Sequence, residues 1–275
     1  MHVRFLFLLF TILWLHIFFA EEFSSLRVTH PTLDELALKY CTDKSSRSHN
    51  YSEIYADIFA SSRMQPVRFL EIGILNGASV RLWSNYFEHG EAQLYFLDID
   101  KESVELCGRT GLDQAYLARV HCYLCDQANK QQLQKFSELS GGDFDIILDD
   151  GGHTMEQQIT SFDVLFPCLR SGGIYVIEDL HTSYWKAFGG DGSVSCPLWG
   201  YPKTFPEDKA VIFPSDKRLT TIQLLFSLVD DLNYTGAESG CADYNKFPTE
   251  KFKNYYHHYI KSIQFFSSLC FIYKR

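Results

Sequence analysis

The sequence predicts an α/β fold with a doubly wound, mostly parallel sheet of seven strands, an N-terminal helical cap and a C-terminal antiparallel hairpin. Between residues 66 and 177, short apolar runs alternate with amphipathic segments, which is typical of strands joined by crossover helices. Near the C-terminus, two apolar runs are separated only by Ser267 and Ser268, which indicates a hairpin. With 275 residues, 46% of them hydrophobic, the chain can bury one large core.

Local signals predict the elements in chain order. Thr32 and Glu35 form a capping box, so a first helix is expected at 33–40 and a second at 51–61. Residues 21–65 are therefore predicted to form a cap on a domain that spans 66–275. Its predicted strands lie at 68–72, 94–97, 120–124, 144–148, 173–177, 260–266 and 269–273. Its predicted helices lie at 79–87, 103–106, 130–139, 155–169 and 219–232, with an insertion rich in Gly, Pro and Trp at 182–216.

The first twenty residues are predicted to be a targeting segment. Residues 5–20 are almost wholly apolar and follow Arg4, as in a secretory signal. A cleaved signal peptide and an uncleaved signal anchor both remain open, and such an anchor is the only expected contact with a membrane. Because Glu21 and Glu22 follow the apolar run, we expect the rest of the chain in the lumen of the secretory pathway, in the ER or Golgi or secreted.

Composition excludes some partners. The net charge is −9, and no basic cluster is longer than the one at 216–218, so a nucleic-acid substrate is not expected and a small molecule or glycan is favoured. Eight cysteines are compatible with an oxidising compartment. Cys122 and Cys125 lack a second pair at zinc spacing, so we expect them to be small buried residues. Asn50 and Asn233 begin glycosylation sequons. The sequence leaves open whether the protein forms a homo-oligomer.

The turn after the first predicted strand indicates a cofactor other than a dinucleotide. It reads Glu71-Ile-Gly73-Ile-Leu-Asn-Gly77 and lacks the G-x-G-x-x-G pattern that cradles a pyrophosphate. Gly73 would allow close approach of the backbone, and the Glu71 carboxylate could meet an ammonium group. This pattern resembles motif I of the class I S-adenosylmethionine-dependent methyltransferases, which have a Rossmann-like fold.

Two further strand ends fit that cofactor. Asp98 ends the second predicted strand, where an acid is well placed to accept both ribose hydroxyls. The third strand ends at Asp126 and Gln127, where the resemblance implies a polar pair that binds the adenine amino group. Of these two residues, Asp126 is the predicted adenine contact.

The most informative stretch is the pair of strands that end in acids. The strand at 144–148 runs into Asp149, Asp150 and His153, and the strand at 173–177 runs into Glu178, Asp179 and His181. Ligands of open parallel sheets bind outside the carboxyl ends of the strands, so these side chains should share one crevice. Carboxylates beside imidazoles suggest a hard divalent cation next to a base.

The spacing of these residues carries a more specific resemblance. From Asp150, His153 lies three residues on, and Glu178 and Asp179 lie 28 and 29 residues on. The same intervals occur in Mg²⁺-dependent O-methyltransferases of the catechol type. The sequence motif DDGGH…GGIYVIEDLHTSYW, together with TDK…HNY before the first strand, is most similar to the sequences of the bacterial macrolide-sugar O-methyltransferases. The likeness runs from about Tyr40 to the C-terminus and is weakest at 186–255.

The resemblance implies a metal site and a base. It implies that Asp150, Glu178 and Asp179 hold Mg²⁺ with water, and that His153 takes the proton from a sugar hydroxyl. Mg²⁺ prefers oxygen ligands and retains waters that a diol can displace. We expect Asp149 instead to cap the next helix through its side chain.

For three other side chains, two possible roles remain open. His181 could touch the substrate or brace its loop, and Lys44 and His49 could close over the cofactor or be solvated. The aromatic residues of the insertion are expected to shape an acceptor pocket, because aromatic faces pack on sugar rings; they are Tyr184, Trp185, Trp199 and Tyr201.

The leading hypothesis for function is an O-methyltransferase that acts on a sugar or glycan hydroxyl and requires S-adenosylmethionine and Mg²⁺. The first alternative is the same chemistry on a catechol or another small phenol. The second is a non-catalytic secreted protein that keeps the fold, which the intact set of acids and His153 argues against.

Overall fold

The computed structural model describes residues 30–107, 118–197, 219–239 and 255–275. The predicted targeting segment at 1–20, residues 21–29 of the predicted cap, and the part of the insertion with Trp199 and Tyr201 lie outside these ranges. Among the helices within them, none is both long and apolar enough to cross a membrane.

The described residues form one sheet of seven strands. They are β1 (Arg68–Ile72), β2 (Gln93–Asp98), β3 (Val120–Leu124), β4 (Phe144–Asp149), β5 (Leu169–Ile177), β6 (Ile260–Phe266) and β7 (Leu269–Lys274). Their order is β3-β2-β1-β4-β5-β7-β6; the first five are parallel, and β7 runs antiparallel to both β5 and β6. The predicted fold class, including the C-terminal hairpin, is confirmed.

Helices cover both faces of this sheet. In the described ranges they are α1 (Leu33–Tyr40), α2 (Tyr51–Phe59), α3 (Ala78–Tyr86), α4 (Lys101–Cys107), α5 (Lys130–Ser140), α6 (Met155–Leu165), α7 (Thr221–Ser239) and α8 (Tyr255–Tyr259). Successive strand residues point to opposite faces, so Phe69 joins the core beneath α1, α2 and α3, whereas Leu70 joins the core beneath α5, α6 and α7. The helical cap thus shares a hydrophobic core with the sheet.

The strand register places the ends of the central strands side by side. Ile72 of β1 pairs with Leu97 of β2 and Asp149 of β4, and Asp149 pairs with Ile177 of β5. The residues that follow these positions therefore emerge at one level along the same edge. This edge is where ligands bind in open α/β sheets.

Element boundaries differ from prediction most around a proline and at α7, which spans Thr221–Ser239 instead of the predicted 219–232. The helix expected at 155–169 ends at Leu165, because Pro167 lies in a 3₁₀ turn, Phe166–Cys168, and cannot donate a helical hydrogen bond. Strand β5 begins at Leu169 rather than at 173. The prediction for Cys122 was wrong, because Cys122 pairs with Cys107 in a disulfide, whereas Cys125 is a free buried thiol.

Candidate functional site

The glycine turn after β1 packs against the turn after β4. Gly73 has φ of +104°, and a Cβ there would lie 2.1 Å from the carbonyl oxygen of Asp150. Only glycine fits, both because of the positive φ and because the two turns touch. A Cβ at Gly151 would likewise lie 1.9 Å from the side-chain oxygen of Gln127. Gly77, also at positive φ, is the N-cap of α3.

A cavity of about 630 Å³ opens along these turns. Its lining comes from the carboxyl ends of β1 to β4 and from the loop before α2; it includes Gly73, Asp98, Ile99, Gln127, Asp150, His153 and Lys44. Its size suits a nucleoside-sized ligand. The predicted cofactor residues Gly73, Asp98 and Gln127 thus meet the predicted chemical residues Asp150 and His153 around one space.

Asp98 organises the cavity wall. One carboxylate oxygen accepts hydrogen bonds from the backbone N–H groups of Ile74 (2.8 Å) and Leu75 (3.1 Å), and the other accepts from the N–H of Asp100 (2.8 Å). The carboxylate therefore stabilises the glycine turn while it faces the cavity. The oxygen that is bonded only to Asp100 keeps a lone pair that could accept from a hydroxyl group of a ligand.

Of the polar pair after β3, the structure places Gln127 rather than Asp126 at the cavity. The amide of buried Gln127 donates to Asp149 (2.9 Å) and accepts from the N–H of Gly152 (2.8 Å). Asp126 instead accepts from the N–H of Ala128 (2.9 Å), and it is not among the cavity-lining residues of the described chain. The adenine contact predicted for Asp126 remains a prediction that this geometry does not favour.

Glu71 lies behind the glycine turn and is not among the described residues that line the cavity. Its carboxylate is fully buried, accepts from the indole N–H of Trp83 (3.1 Å) and lies 3.6 Å from the ammonium of Lys44. Burial raises the pKa of Glu71 to about 7. The ammonium near Glu71 in the structure is thus that of Lys44, and contact of Glu71 with a ligand ammonium stays a prediction.

The prediction that Asp149 caps the next helix was wrong. Thr154 is the N-cap of α6 and forms a capping box with Gln157. Asp149 is the last residue of β4, and its buried side chain accepts from Gln127 and from the hydroxyl of Ser161 in α6. Burial raises the pKa of this carboxyl. Its hydrogen bonds join the turn after β3 to α6.

Asp150, His153 and Asp179 form the candidate metal group. Each offers one ligand atom, and these atoms all lie within 4.8 Å of one another. The His153 Nε2 is 3.5 Å from an oxygen of Asp179 and 3.9 Å from an oxygen of Asp150. Mg²⁺ binds oxygen at about 2.0–2.1 Å, so ligands on opposite sides of one ion lie roughly 4 Å apart. One ion could be held by Asp150 and Asp179, and the His153 Nε2 lies beside that position, close enough to act either as a further ligand or as a base.

Glu178, the third predicted ligand, lies deeper than this group. Its carboxylate is 1% exposed, accepts from the hydroxyl of Tyr55 (2.6 Å) and lies 3.4 Å from the ammonium of Lys44. Burial, and then the charge of Asp150, raise the pKa of Glu178 well above its usual value. The structure therefore brings the three predicted acids together, with Asp150 and Asp179 facing His153.

The helical cap supplies side chains that sequence analysis left open or missed. Lys44 is buried and contacts Asp150, and the hydroxyl of Tyr51 donates to Asp179 (3.0 Å). His49 approaches Asp179 at 3.7 Å. Lys44, His49 and Tyr51 belong to the TDK and HNY motifs, so the sequence did indicate these three residues. No sequence motif indicated a role for the hydroxyl of Tyr55 in α2.

His181 lies beside Asp179 and is not among the described residues that line the cavity. Its Nδ1 is hydrogen-bonded to the hydroxyl of Ser268 in the β6–β7 turn and lies 4.0 Å from Asp179. The ring meets Trp185 edge to face at 4.6 Å, and burial lowers its pKa. These contacts fit bracing of the loop, and the partly exposed ring still leaves substrate contact open. Of the insertion's aromatic residues, Trp185 is thus beside the site.

Comparisons with known proteins agree with this architecture. A family model described as a methyltransferase domain matches residues 70–180. Demethylmacrocin O-methyltransferase of Streptomyces fradiae is 34% identical over 226 residues, which cover 78% of this chain and 49% of that protein. Mycinamicin VI 2''-O-methyltransferase of Micromonospora griseorubida is 38% identical over 168 residues, which cover 58% of this chain and 39% of that protein.

A solved structure is similar over most of the chain. It is the MycE methyltransferase from the mycinamycin biosynthetic pathway in complex with Mg, SAH and mycinamycin VI, with a TM-score of 0.63 and 29% identity. The match covers 89% of this chain and 54% of that one. This chain spans about half the length of the curated relatives that it matches.

The fold and the site together define a class I S-adenosylmethionine-dependent methyltransferase. Within that class, the chain is related to the macrolide-sugar O-methyltransferases. The resemblance to these enzymes that was inferred from the DDGGH and IEDLH motifs is confirmed.

Proposed function

We propose that this protein transfers a methyl group from S-adenosylmethionine to a hydroxyl of a sugar or glycan in a reaction that requires Mg²⁺. The observation that carries the proposal is the position of His153. Its Nε2 lies within 4 Å of carboxylate oxygens of both Asp150 and Asp179, and the side chain lines the 630 Å³ cavity. A base, a candidate metal group and a cofactor-sized cavity therefore meet at one point.

Each residue has a defined part in this proposal. Asp150 and Asp179 would hold the ion directly, and Glu178 would complete the acidic environment, oriented by Tyr55. The ion would polarise the acceptor hydroxyl and lower its pKa. His153 would accept the hydroxyl proton at Nε2, so that the oxygen attacks the methyl carbon in line with the departing sulfur. Asp98 and Gln127 would hold the cofactor so that its methyl group faces this oxygen.

The relatives favour a sugar over a phenol as the acceptor. Two further relatives have names that specify an acceptor with a glycosyl group: L-olivosyl-oleandolide 3-O-methyltransferase and 8-demethyl-8-alpha-L-rhamnosyl tetracenomycin-C 2'-O-methyltransferase. Trp185, beside His181, offers an aromatic face of the kind that packs on sugar rings. The test below distinguishes transfer to a sugar from the two alternatives, which are transfer to a phenol and a protein without catalytic activity.

The test is transfer of labelled methyl groups to a panel of free glycans, protein-linked glycans, glycosylated macrolides and catechols. Assays contain either EDTA or excess Mg²⁺. We expect transfer to a sugar, its loss in EDTA and its recovery with Mg²⁺, because the ion would polarise the acceptor hydroxyl. Full transfer in EDTA would contradict the metal requirement. Transfer only to catechols would establish the phenol alternative, and cofactor binding without any transfer would favour a non-catalytic role.

We also propose a location in the lumen of the secretory pathway. The apolar segment at 5–20, with Glu21 and Glu22 after it, supports this proposal. The side chains of Asn50 and Asn233 are exposed, although Tyr51 and Ser52 of the first sequon are buried. Expression in eukaryotic cells followed by glycosidase treatment should increase electrophoretic mobility, and Asn233→Gln should remove part of that shift. An unshifted protein in the cytosolic fraction would contradict the proposal.

A further inference from the structure

Lys44 occupies an unusual position for a lysine. Its side chain is 1% exposed, and its ammonium contacts Asp150 and lies 3.4 Å from Glu178 and 3.6 Å from Glu71. A lysine is almost never so completely buried unless it is paired. The exposed carboxylate of Asp43 lies 3.8 Å away, so one ammonium is shared by four carboxylates, of which Glu71 and Glu178 are themselves fully or almost fully buried.

The loop that carries Lys44 is fixed in place. The N–H of Thr42 donates to the carbonyl of Ala37 (3.0 Å), and the N–H of Ser52 donates to the carbonyl of Lys44 (2.8 Å). Asp34 accepts hydrogen bonds from Ser46 and Ser52 across the same loop. The backbone on both sides of Lys44 is therefore anchored to α1 and α2, which directs the ammonium towards the acids.

The two oxygens of Asp150 face different partners. Oδ2 contacts the ammonium of Lys44, whereas Oδ1 faces the Nε2 of His153 in the candidate metal group. A divalent ion bound by Asp150 would lie within a few ångströms of this ammonium. Like charges at such a distance repel each other strongly in a partly buried site, so the ion and the ammonium compete for the same negative charge.

We propose that Lys44 is an internal counter-ion that holds the acids of the site together when no divalent ion is bound, and that it lowers the affinity of the site for that ion. The inference rests on the proposed binding of Mg²⁺ by Asp150 and Asp179. Binding of the ion shifts the ammonium away from Asp150 and towards Glu71 and Glu178, which stay paired with it. Lys44 is thus a positioning residue that makes metal loading reversible.

The first test measures Mg²⁺ affinity by calorimetry at constant pH in wild-type protein and in Lys44→Met, Lys44→Arg and Lys274→Met. Lys44→Met removes the charge and nearly keeps the shape. It should bind Mg²⁺ at least about tenfold more tightly, because it removes a like charge about 4 Å from a partly buried divalent ion. Its thermal stability without Mg²⁺ should fall. Lys44→Arg keeps the charge and should retain an affinity close to that of wild type.

Lys274→Met is the matched control. Lys274 is also buried, but its ammonium donates to the backbone carbonyls of Pro167 (2.9 Å) and Leu169 (2.6 Å) rather than to acids of the site. Its loss should lower stability and leave Mg²⁺ affinity unchanged. Equal or weaker Mg²⁺ binding by Lys44→Met would overturn the inference, because Lys44 would then hold Asp150 in place rather than compete with the ion.

A second measurement needs no destabilising variant. The side-chain ¹⁵Nζ resonance of Lys44, identified by its absence in Lys44→Arg, should shift when wild-type protein is saturated with Mg²⁺. An unchanged resonance at saturation would overturn the inference. The proposed function fails separately, because in that case the wild-type protein itself would show no Mg²⁺ binding with or without S-adenosylmethionine.

Discussion

The two halves of the site are built in different ways. Around the cofactor cavity, Asp98 is bonded to backbone groups of residues 23 and 24 positions earlier, and the turns pack through glycines. Around the acids, the partners are side chains of the helical cap. Lys44 reaches Asp150 across 106 positions, Tyr55 reaches Glu178 across 123, and Tyr51 reaches Asp179 across 128.

This difference has a functional meaning. The Asp98 side chain at the end of β2 accepts hydrogen bonds from the turn after β1, so this wall of the cavity is held within one β-α-β unit and does not depend on side chains of the helical cap. The acids depend on docking of α1 and α2 onto the sheet, because the hydroxyl and ammonium donors arrive with those helices. The chemical half should therefore tolerate side-chain substitution in the cap less well than the cofactor half does.

The largest expected effect tests the chemical half. His153→Ala should reduce kcat by about 10²–10⁴-fold, the usual contribution of a positioned general base, while S-adenosylmethionine and Mg²⁺ still bind. The measurement is steady-state kinetics together with calorimetry of both ligands. His181→Ala is the control and should cost less, because the ring is held by Ser268 and Trp185 beside the acids. If His181→Ala were the more damaging at saturating acceptor, the role of base would pass to His181.

The cofactor half gives the next effect. Asp98→Ala should weaken S-adenosylmethionine binding by about 1–3 kcal/mol, since it removes a carboxylate that faces the cavity and leaves two backbone N–H groups of the glycine turn unpaired. Asp126→Ala is the matched control and should bind the cofactor as wild type does. A larger loss of affinity in Asp126→Ala than in Asp98→Ala would restore the adenine contact predicted from the sequence.

The same contrast explains what the sequence could predict. The observed bounds of α1, β1 and β3 are the same as the predicted ones, because capping boxes and apolar runs are local signals. The acids were grouped correctly because strand ends in a parallel sheet share an edge. The hydroxyl of Tyr55 could not be assigned, since its contact with Glu178 depends on how α2 packs on the sheet. Likewise, only the geometry of the turn after β3 decides that Gln127, and not Asp126, faces the cavity.

A hydroxyl of the cap gives a smaller effect. Tyr55→Phe removes the hydrogen bond to Glu178 while the ring keeps its contacts with Phe59 and Trp83. We expect a loss of about 1–2 kcal/mol of unfolding free energy by chemical denaturation, together with weaker Mg²⁺ binding. Tyr273→Phe, whose hydroxyl donates to Gln264 on the exposed hairpin, is the control and should change neither quantity appreciably. Equal effects of the two variants would mean that the cap does not organise the acids.

The smallest expected effect concerns pH and Glu71, which lies between the two halves. Burial raises its pKa to about 7 in the folded state, so this carboxyl keeps its proton after the same group in the unfolded chain has lost it. The folded state then binds more protons, and stability falls as pH rises through 7. For this group alone the loss is about 1 kcal/mol between roughly pH 6 and pH 8. Glu71→Gln cannot ionise, so the difference in unfolding free energy between the variant and wild type should move in favour of the variant over that interval. A constant difference from pH 6 to pH 8 would show that Glu71 does not change its protonation state in that interval, and would contradict this prediction.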